Sequence, residues 1–173
     1  KFLDAWMAAG LKVLAPSGTT DADAEAEKYE AALKEFVASD ADGLPQFDLC
    51  MIGIGMDGHV GSIYPDIDDV DSTRPVVPIT GIDGMGNLST KLSLSLKAMA
   101  AARTAVVACA GVSAKAPLGK AEAMRRALEA DETPRSFPAS SLRNKATWLI
   151  DVPSAELLTM SNYFGQMMST DPL

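Results

Sequence analysis

Apolar residues in this chain follow two rhythms. Between Asp21 and Ser39 they recur at helical spacing: Tyr29, Leu33, Phe36 and Val37 fall at i, i+4, i+7 and i+8 and share one face. Thr20 is placed to cap that helix. Asp21, Asp23 and Glu25 suit the positive end of its dipole, and Asp42-Gly43-Leu44-Pro45 stops it. Lys120 to Glu129 repeats the rhythm, with Ala121, Met124 and Leu128 on one side and Glu122, Arg125 and Arg126 elsewhere. Phe2 to Ala9 predicts a short helix, and Pro153 opens another where proline is tolerated. The second rhythm is that of strands. Leu49 to Ile54, Thr104 to Ala110 and Ala146 to Asp151 are short apolar runs typical of buried parallel strands. Leu92, Leu94 and Leu96 alternate with Ser93 and Ser95, which predicts a half-buried strand. Shorter strands are expected near Lys12-Val13-Leu14 and at Val76 to Ile79, and Asp66 to Asp71 reads as a solvated acidic loop.

Strands thus alternate with helices. That order predicts an α/β fold, a mostly parallel doubly wound sheet with helices on both faces. The chain's 173 residues fit one domain with its own core. It is expected to span residues 1–165, followed by a surface tail at 166–173. In such sheets ligands bind beyond the carboxyl ends of the strands. The glycine-rich turn after Leu49–Ile54 is therefore the first place to look for chemistry.

Composition narrows the partners. A net charge of −8 argues against nucleic acid or an anionic membrane surface. No apolar run is long enough for a membrane span. The amino end lacks the pattern of a signal peptide, so a cytoplasmic or plastid location is expected rather than secretion. Cys50 and Cys109 sit in apolar runs and read as buried thiols, since two cysteines make neither a disulfide framework nor a zinc spacing.

The turn itself reads Gly53-Ile54-Gly55-Met56-Asp57-Gly58-His59-Val60-Gly61-Ser62-Ile63-Tyr64-Pro65. Its glycines let a ligand approach main-chain N–H groups, which can hold an anion or a developing oxyanion. A dinucleotide fingerprint would need Gly53, Gly55 and Gly58 to open a long helix, but His59 and Pro65 follow closely. His59 is the chain's sole histidine. Histidine exchanges a proton near neutral pH, so His59 is either a general base or a structural residue of the turn. Asp57 is close enough in sequence to orient its ring or to accept from the turn's backbone.

The segment resembles the G-x-G-x-D-G-H-x-[AG]-S-[LI]-[FY]-P signature of 6-phosphogluconolactonases. The related glucosamine-6-phosphate deaminases share G-x-G-x-D-G-H but continue toward Phe-Asn-Glu-Pro, unlike Ser62-Ile63-Tyr64-Pro65 here. Lys91-Leu92-Ser93-Leu94-Ser95-Leu96 is similar to the family's R-I-T-L-T-L strand. Lys120-Ala121-Glu122-Ala123-Met124 resembles its K-A-E-A-[VL] helix start. Pro138-Ala139-Ser140 and Trp148-Leu149-Ile150-Asp151 resemble its P-A-S and W-[LF]-[LV]-D segments.

This resemblance implies hydrolysis of 6-phosphoglucono-δ-lactone in the oxidative pentose phosphate pathway. His59 would be the base, Asp57 its positioning partner, and the amides of Gly53, Gly55 and Gly58 would face the substrate. No metal or organic cofactor is implied. Lys120, at a helix start, would bind the phosphate, with Lys115 as the rival; Lys120 is otherwise a solvated first-turn lysine. Lys91, Arg103 and Arg143 read as surface or packing residues. The family's G-G-[ST] turn and D-E-R segment do not occur, so the amino-terminal strands of the family fold are expected to be missing. A protein partner covering that edge is then expected. Two further readings follow: a catalytically inactive lactonase-like domain serving as a structural subunit, and an aminosugar-phosphate deaminase.

Overall fold

The structure is a computed structural model that describes residues 3–19, 21–82, 88–112 and 117–159. Those residues contain five helices, α1 (Asp4–Ala8), α2 (Ala22–Phe36), α3 (Leu96–Ala100), α4 (Ala121–Leu128) and α5 (Val152–Ala155), and five strands, with strand and helix alternating from Leu88 onward. The strands are β1 (Leu49–Gly53), β2 (Val76–Ile82), β3 (Leu88–Leu94), β4 (Thr104–Cys109) and β5 (Ala146–Ile150). β1, β4 and β5 form a parallel sheet in that order, with Met51 opposite Val106 and Val107 opposite Trp148. This is the expected α/β class with a parallel sheet, but among the described residues Met51 and Leu149 leave the second face of the sheet open rather than covered by helices. β2 and β3 are a separate antiparallel pair.

Strand alternation sorts the parallel sheet into two faces. Cys50, Ile52, Ala105, Val107 and Cys109 point into the core, where Met99, Met124, Phe137 and Leu142 pack on them. Both cysteines are free and buried. On the opposite face Met51 is 69% exposed and Leu149 is 55% exposed. β5 alternates half-buried with exposed residues, less enclosed than its apolar sequence predicts.

Three expectations are corrected. The α2 cap is Asp21, whose carboxylate accepts from Ala24 N–H at 3.0 Å; Thr20 lies outside the described residues. Lys12-Val13-Leu14 is not a strand, because no neighbouring backbone among the described residues pairs with it. It lies along α2 instead, with the Lys12 ammonium 5.3 Å from the Phe36 ring centre. In β3 the serines are the buried residues. Leu92 and Leu94 pack toward the α2 cluster, which also holds Leu33 and Val76, while Ser93 and Ser95 are enclosed on the other side. Leu96 opens α3 rather than continuing the strand, with the Ser95 hydroxyl accepting from Ala98 N–H at 3.2 Å. The acidic stretch contains a short 3-10 turn, Asp68–Asp71, and Arg135 lies 3.3 Å from the carboxylate of Asp71. The expected tail at 166–173 lies outside the described residues.

Glu25 fastens the approach to α2. It is buried, and its carboxylate accepts from Ser17 N–H, from Ser17 Oγ at 2.6 Å and from Thr19 Oγ1 at 2.8 Å. The Ser17 hydroxyl, the Ser17 amide and the Thr19 hydroxyl together hold its carboxyl at about 2, down from 4.5. A lowered folded-state value stabilises the fold above the unfolded value and loses that contribution as pH falls. Wild type is therefore expected to exceed Glu25→Gln in thermal stability at neutral pH. That gap should close between pH 4.5 and about 2, the window set by the two values. Melting curves of both proteins across that range check it.

Candidate active site

β1 ends at Gly53, paired with Ala108, and the chain leaves the sheet there. Ile54 bridges Val60, and Val60 bridges Ile63. Val60 and Ile63 are fully buried, so apolar anchors hold a turn in which Asp57 is exposed and His59 half-buried. Three outside contacts lock it. Ala139 N–H donates to the Gly58 carbonyl at 2.9 Å, Ser62 N–H donates to Ser93 Oγ at 3.0 Å, and the Lys120 ammonium donates to the Ile54 carbonyl.

Two glycines are needed here for different reasons. Gly58 has φ +87°, and a Cβ on it would lie 2.5 Å from the Phe137 ring. Gly55 lies against Asp57 and His59: a Cβ there would sit 2.2 Å from His59 Nδ1 and 2.5 Å from Asp57 Oδ1. Their amides have a different use from the one expected. Gly55 N–H donates to the His59 carbonyl at 2.9 Å, and Gly58 N–H to the Gly55 carbonyl at 3.1 Å. Both close the turn on itself, so neither is directed at a ligand as an anion donor. Gly53 belongs to the β1 ladder.

Asp57 Oδ1 stands 2.6 Å from His59 Nδ1 and also accepts His59 N–H at 3.2 Å. Partial burial pushes the Asp57 carboxyl up, but the hydrogen bonds from the His59 amide and ring, with the ring's charge, outweigh it and leave it below its ordinary value. An ionised carboxylate can only accept, so Nδ1 carries the hydrogen of the neutral imidazole and Nε2 keeps its lone pair. The Tyr64 ring lies 4.5 Å from the imidazole, centre to centre, with the planes tilted by 37°. It packs against the ring that Asp57 aims.

The structure therefore pairs Asp57 with His59 and places the Lys120 ammonium on the Ile54 carbonyl of the same turn. Lys120 is half-buried at the start of α4; its ammonium has three hydrogens, and one is used by Ile54. Lys115 lies outside the described residues. Lys91 is exposed on β3, and Arg103 pairs with Asp48 at 3.1 Å. Arg143 donates to the carbonyls of Ala127 at 2.7 Å and Ala130 at 2.5 Å, fastening the end of α4. These three fill the surface and packing roles expected of them. Sequence reasoning missed Ser93, Phe137 and the tilted ring contact of Tyr64. Buried serine within an alternating strand was the one available signal for Ser93, and it was read with the faces reversed.

A hollow of about 260 Å³ lies between α2 and the β2–β3 pair, lined by Tyr29, Phe47, Val76 and Leu92 among others. It is a gap in the smaller core cluster, away from His59. Among the described residues no three His, Cys, Asp or Glu side chains are grouped to hold a metal ion. No helix among them is long and apolar enough to cross a membrane.

The model of the glucosamine-6-phosphate isomerases/6-phosphogluconolactonase family matches residues 2–150. Human 6-phosphogluconolactonase is 32% identical over 139 residues, covering 78% of this chain and 50% of the human protein. The chloroplastic 6-phosphogluconolactonase 3 of Arabidopsis thaliana is 31% identical over 156 residues, covering 84% of this chain and 45% of that protein. The solved structure of 6-phosphogluconolactonase from Trypanosoma brucei superposes with a TM-score of 0.65 at 23% identity, over 87% of this chain and 59% of that one. The last of these is a likeness of fold. The chain spans about half the length of the curated relatives it matches.

Proposed function

The chain belongs to the glucosamine-6-phosphate isomerase/6-phosphogluconolactonase family, and from that premise we propose that its Gly53–Pro65 turn hydrolyses 6-phosphoglucono-δ-lactone to 6-phosphogluconate. The observation that carries this reading is the 2.6 Å contact between Asp57 and His59, which leaves Nε2 as a base. Nε2 takes a proton from water as the water oxygen bonds to the lactone carbonyl carbon. The carbonyl π pair moves onto its oxygen. When that pair returns, the bond to the ring oxygen breaks, and the ring oxygen takes the proton from the imidazolium. The resulting acid ionises at neutral pH. An ester carbonyl is electrophilic enough for base-activated water to attack it.

Lys120 offers its two remaining ammonium hydrogens to the phosphate, where helix start and charge act together. Lys115 stays the alternative phosphate ligand. Ser62-Ile63-Tyr64-Pro65 supports lactone hydrolysis over deamination, since the deaminase motif continues toward Phe-Asn-Glu-Pro instead. We place the protein in the cytosol or a plastid, the latter also the location in the name of the Arabidopsis relative. Acid release from the lactone above its spontaneous hydrolysis, with no ammonia from glucosamine 6-phosphate, is the expected result of parallel assays. Ammonia release without acid release would reverse the assignment.

The open face carrying Met51 and Leu149 supports a second reading about assembly. There a partner polypeptide with a complementary apolar surface covers that face. Co-purification of such a polypeptide, lost in Met51→Lys/Leu149→Lys, is the expected outcome; a monodisperse active monomer would count against it.

A further inference from the structure

The turn's rigidity depends on more than its own residues. Asp151 follows β5, and its amide donates to the Cys109 carbonyl at the end of the neighbouring β4, at 3.2 Å. Its carboxylate bonds in two directions. One oxygen caps α5 by accepting Ser154 N–H at 3.1 Å, and the other accepts Gly111 N–H at 2.8 Å, across the top of the two strands. The Gly111 and Ser154 amides hold the carboxyl below its ordinary value, so it is a charged acceptor.

Gly111 passes this restraint on. Its carbonyl packs so closely on Gly119 that a Cβ there would lie 2.6 Å from the carbonyl oxygen, and Gly119 has φ +55°. Lys120 is the next residue, and its ammonium donates to the Ile54 carbonyl. Gly55 follows Ile54 and donates to the His59 carbonyl at 2.9 Å. A continuous path of hydrogen bonds and close backbone contact therefore links Asp151 to the catalytic turn through Lys120. The path reaches the His59 main chain through Gly55 but makes no hydrogen bond to the Asp57 carboxylate or the His59 ring.

We propose that Asp151 is a positioning residue that sets Lys120 for phosphate binding by clamping Gly111 against Gly119. This deepens the lactonase reading and rests on it. The clamp fixes where the Lys120 backbone starts, and the Ile54 carbonyl fixes where its ammonium ends. Losing the clamp leaves the base intact and loosens the cation.

Asp151→Ser separates the two jobs of the carboxylate, because serine still caps α5 but is too short to reach Gly111. In the full chain it is expected to raise KM for 6-phosphoglucono-δ-lactone about tenfold while kcat stays within about threefold. Hydrolysis of unphosphorylated glucono-δ-lactone should not change. Asp151→Asn has one accepting oxygen for the Gly111 and Ser154 N–H groups, so it should recover only part of the KM. In a Lys120→Ala background Asp151→Ser should add nothing further, since the two act as one unit. Calorimetric binding of 6-phosphogluconate, run alongside, should weaken by a similar factor and judges the clamp independently of turnover. An unchanged KM and unchanged binding, or equal losses on both lactones, would overturn the proposal. A wild type that binds 6-phosphogluconate without hydrolysing the lactone would instead overturn the lactonase reading and leave the clamp to the binding result.

Discussion

His59→Ala is expected to lower kcat for 6-phosphoglucono-δ-lactone by about two to four orders of magnitude, the range for loss of a positioned general base. KM should change little, because the imidazole is assigned to water and Lys120 to the phosphate. Stability should also change little. His59 is half-buried and, among the described residues, makes one ring contact, with Tyr64, and one side-chain hydrogen bond, with Asp57. The backbone bonds that close the turn, Gly55 N–H to the His59 carbonyl among them, do not need the side chain. A folded, stable, inactive protein is thus the expected phenotype. The lactone also opens spontaneously in water, so rates must be read above that background and at short times. Full turnover in the variant would remove His59 from the chemistry.

Gly58→Ala should have the largest effect on folding. The residue combines φ +87° with a side-chain position 2.5 Å from the ring of the fully buried Phe137. Alanine would meet both problems: a left-handed backbone costs about 1–2 kcal/mol, and overpacking a core adds about 1–3 kcal/mol. Neither neighbour can yield easily. Phe137 is held under the Arg126 guanidinium, 4.3 Å from its ring centre, and the Gly58 carbonyl is bound by Ala139 N–H. A loss of about 3 kcal/mol is expected in denaturant unfolding, a large part of the stability of an ordinary domain. Activity should fall further than stability, because the strain is relieved most readily by moving the turn that carries His59. A variant as stable as wild type would show that the Phe137 contact is looser than the geometry implies.

The parts of this protein that could be read from sequence are those in which local pattern and global fold agree. The apolar runs ending at Gly53 and Cys109 became paired parallel strands because burial of alternate residues leaves them no other partner. Asp57 and His59 were legible because their separation is two residues within one turn, so no long-range packing had to be inferred. Where distant segments decide the outcome, pattern failed. Ser93 and Ser95 looked like the wet side of β3, but the leucines face α2 and the serines serve the turn and α3. Gly55 and Gly58 looked like anion donors, yet the turn needs their amides to close. Asp151 was visible as the last residue of an apolar strand and of the W-[LF]-[LV]-D match, but its bond to Gly111, forty positions away in the chain, has no local signature. Lys120 was placed correctly at a helix start, but its bond to Ile54 spans sixty-six positions and follows from the sheet order.

The central claim is that Asp57 holds the imidazole with Nε2 free to act as a base at a phosphosugar site. Because His59 is the sole histidine in the chain, its two ring nitrogens can be read without assignment ambiguity. Long-range nitrogen–proton correlation spectra of histidine-labelled protein at mildly alkaline pH should show Nδ1 protonated and Nε2 unprotonated, with both signals moving on addition of 6-phosphogluconate. Asp57→Asn should disturb the tautomer. A ring protonated at Nε2 in the wild type, or one indifferent to 6-phosphogluconate, would contradict the account.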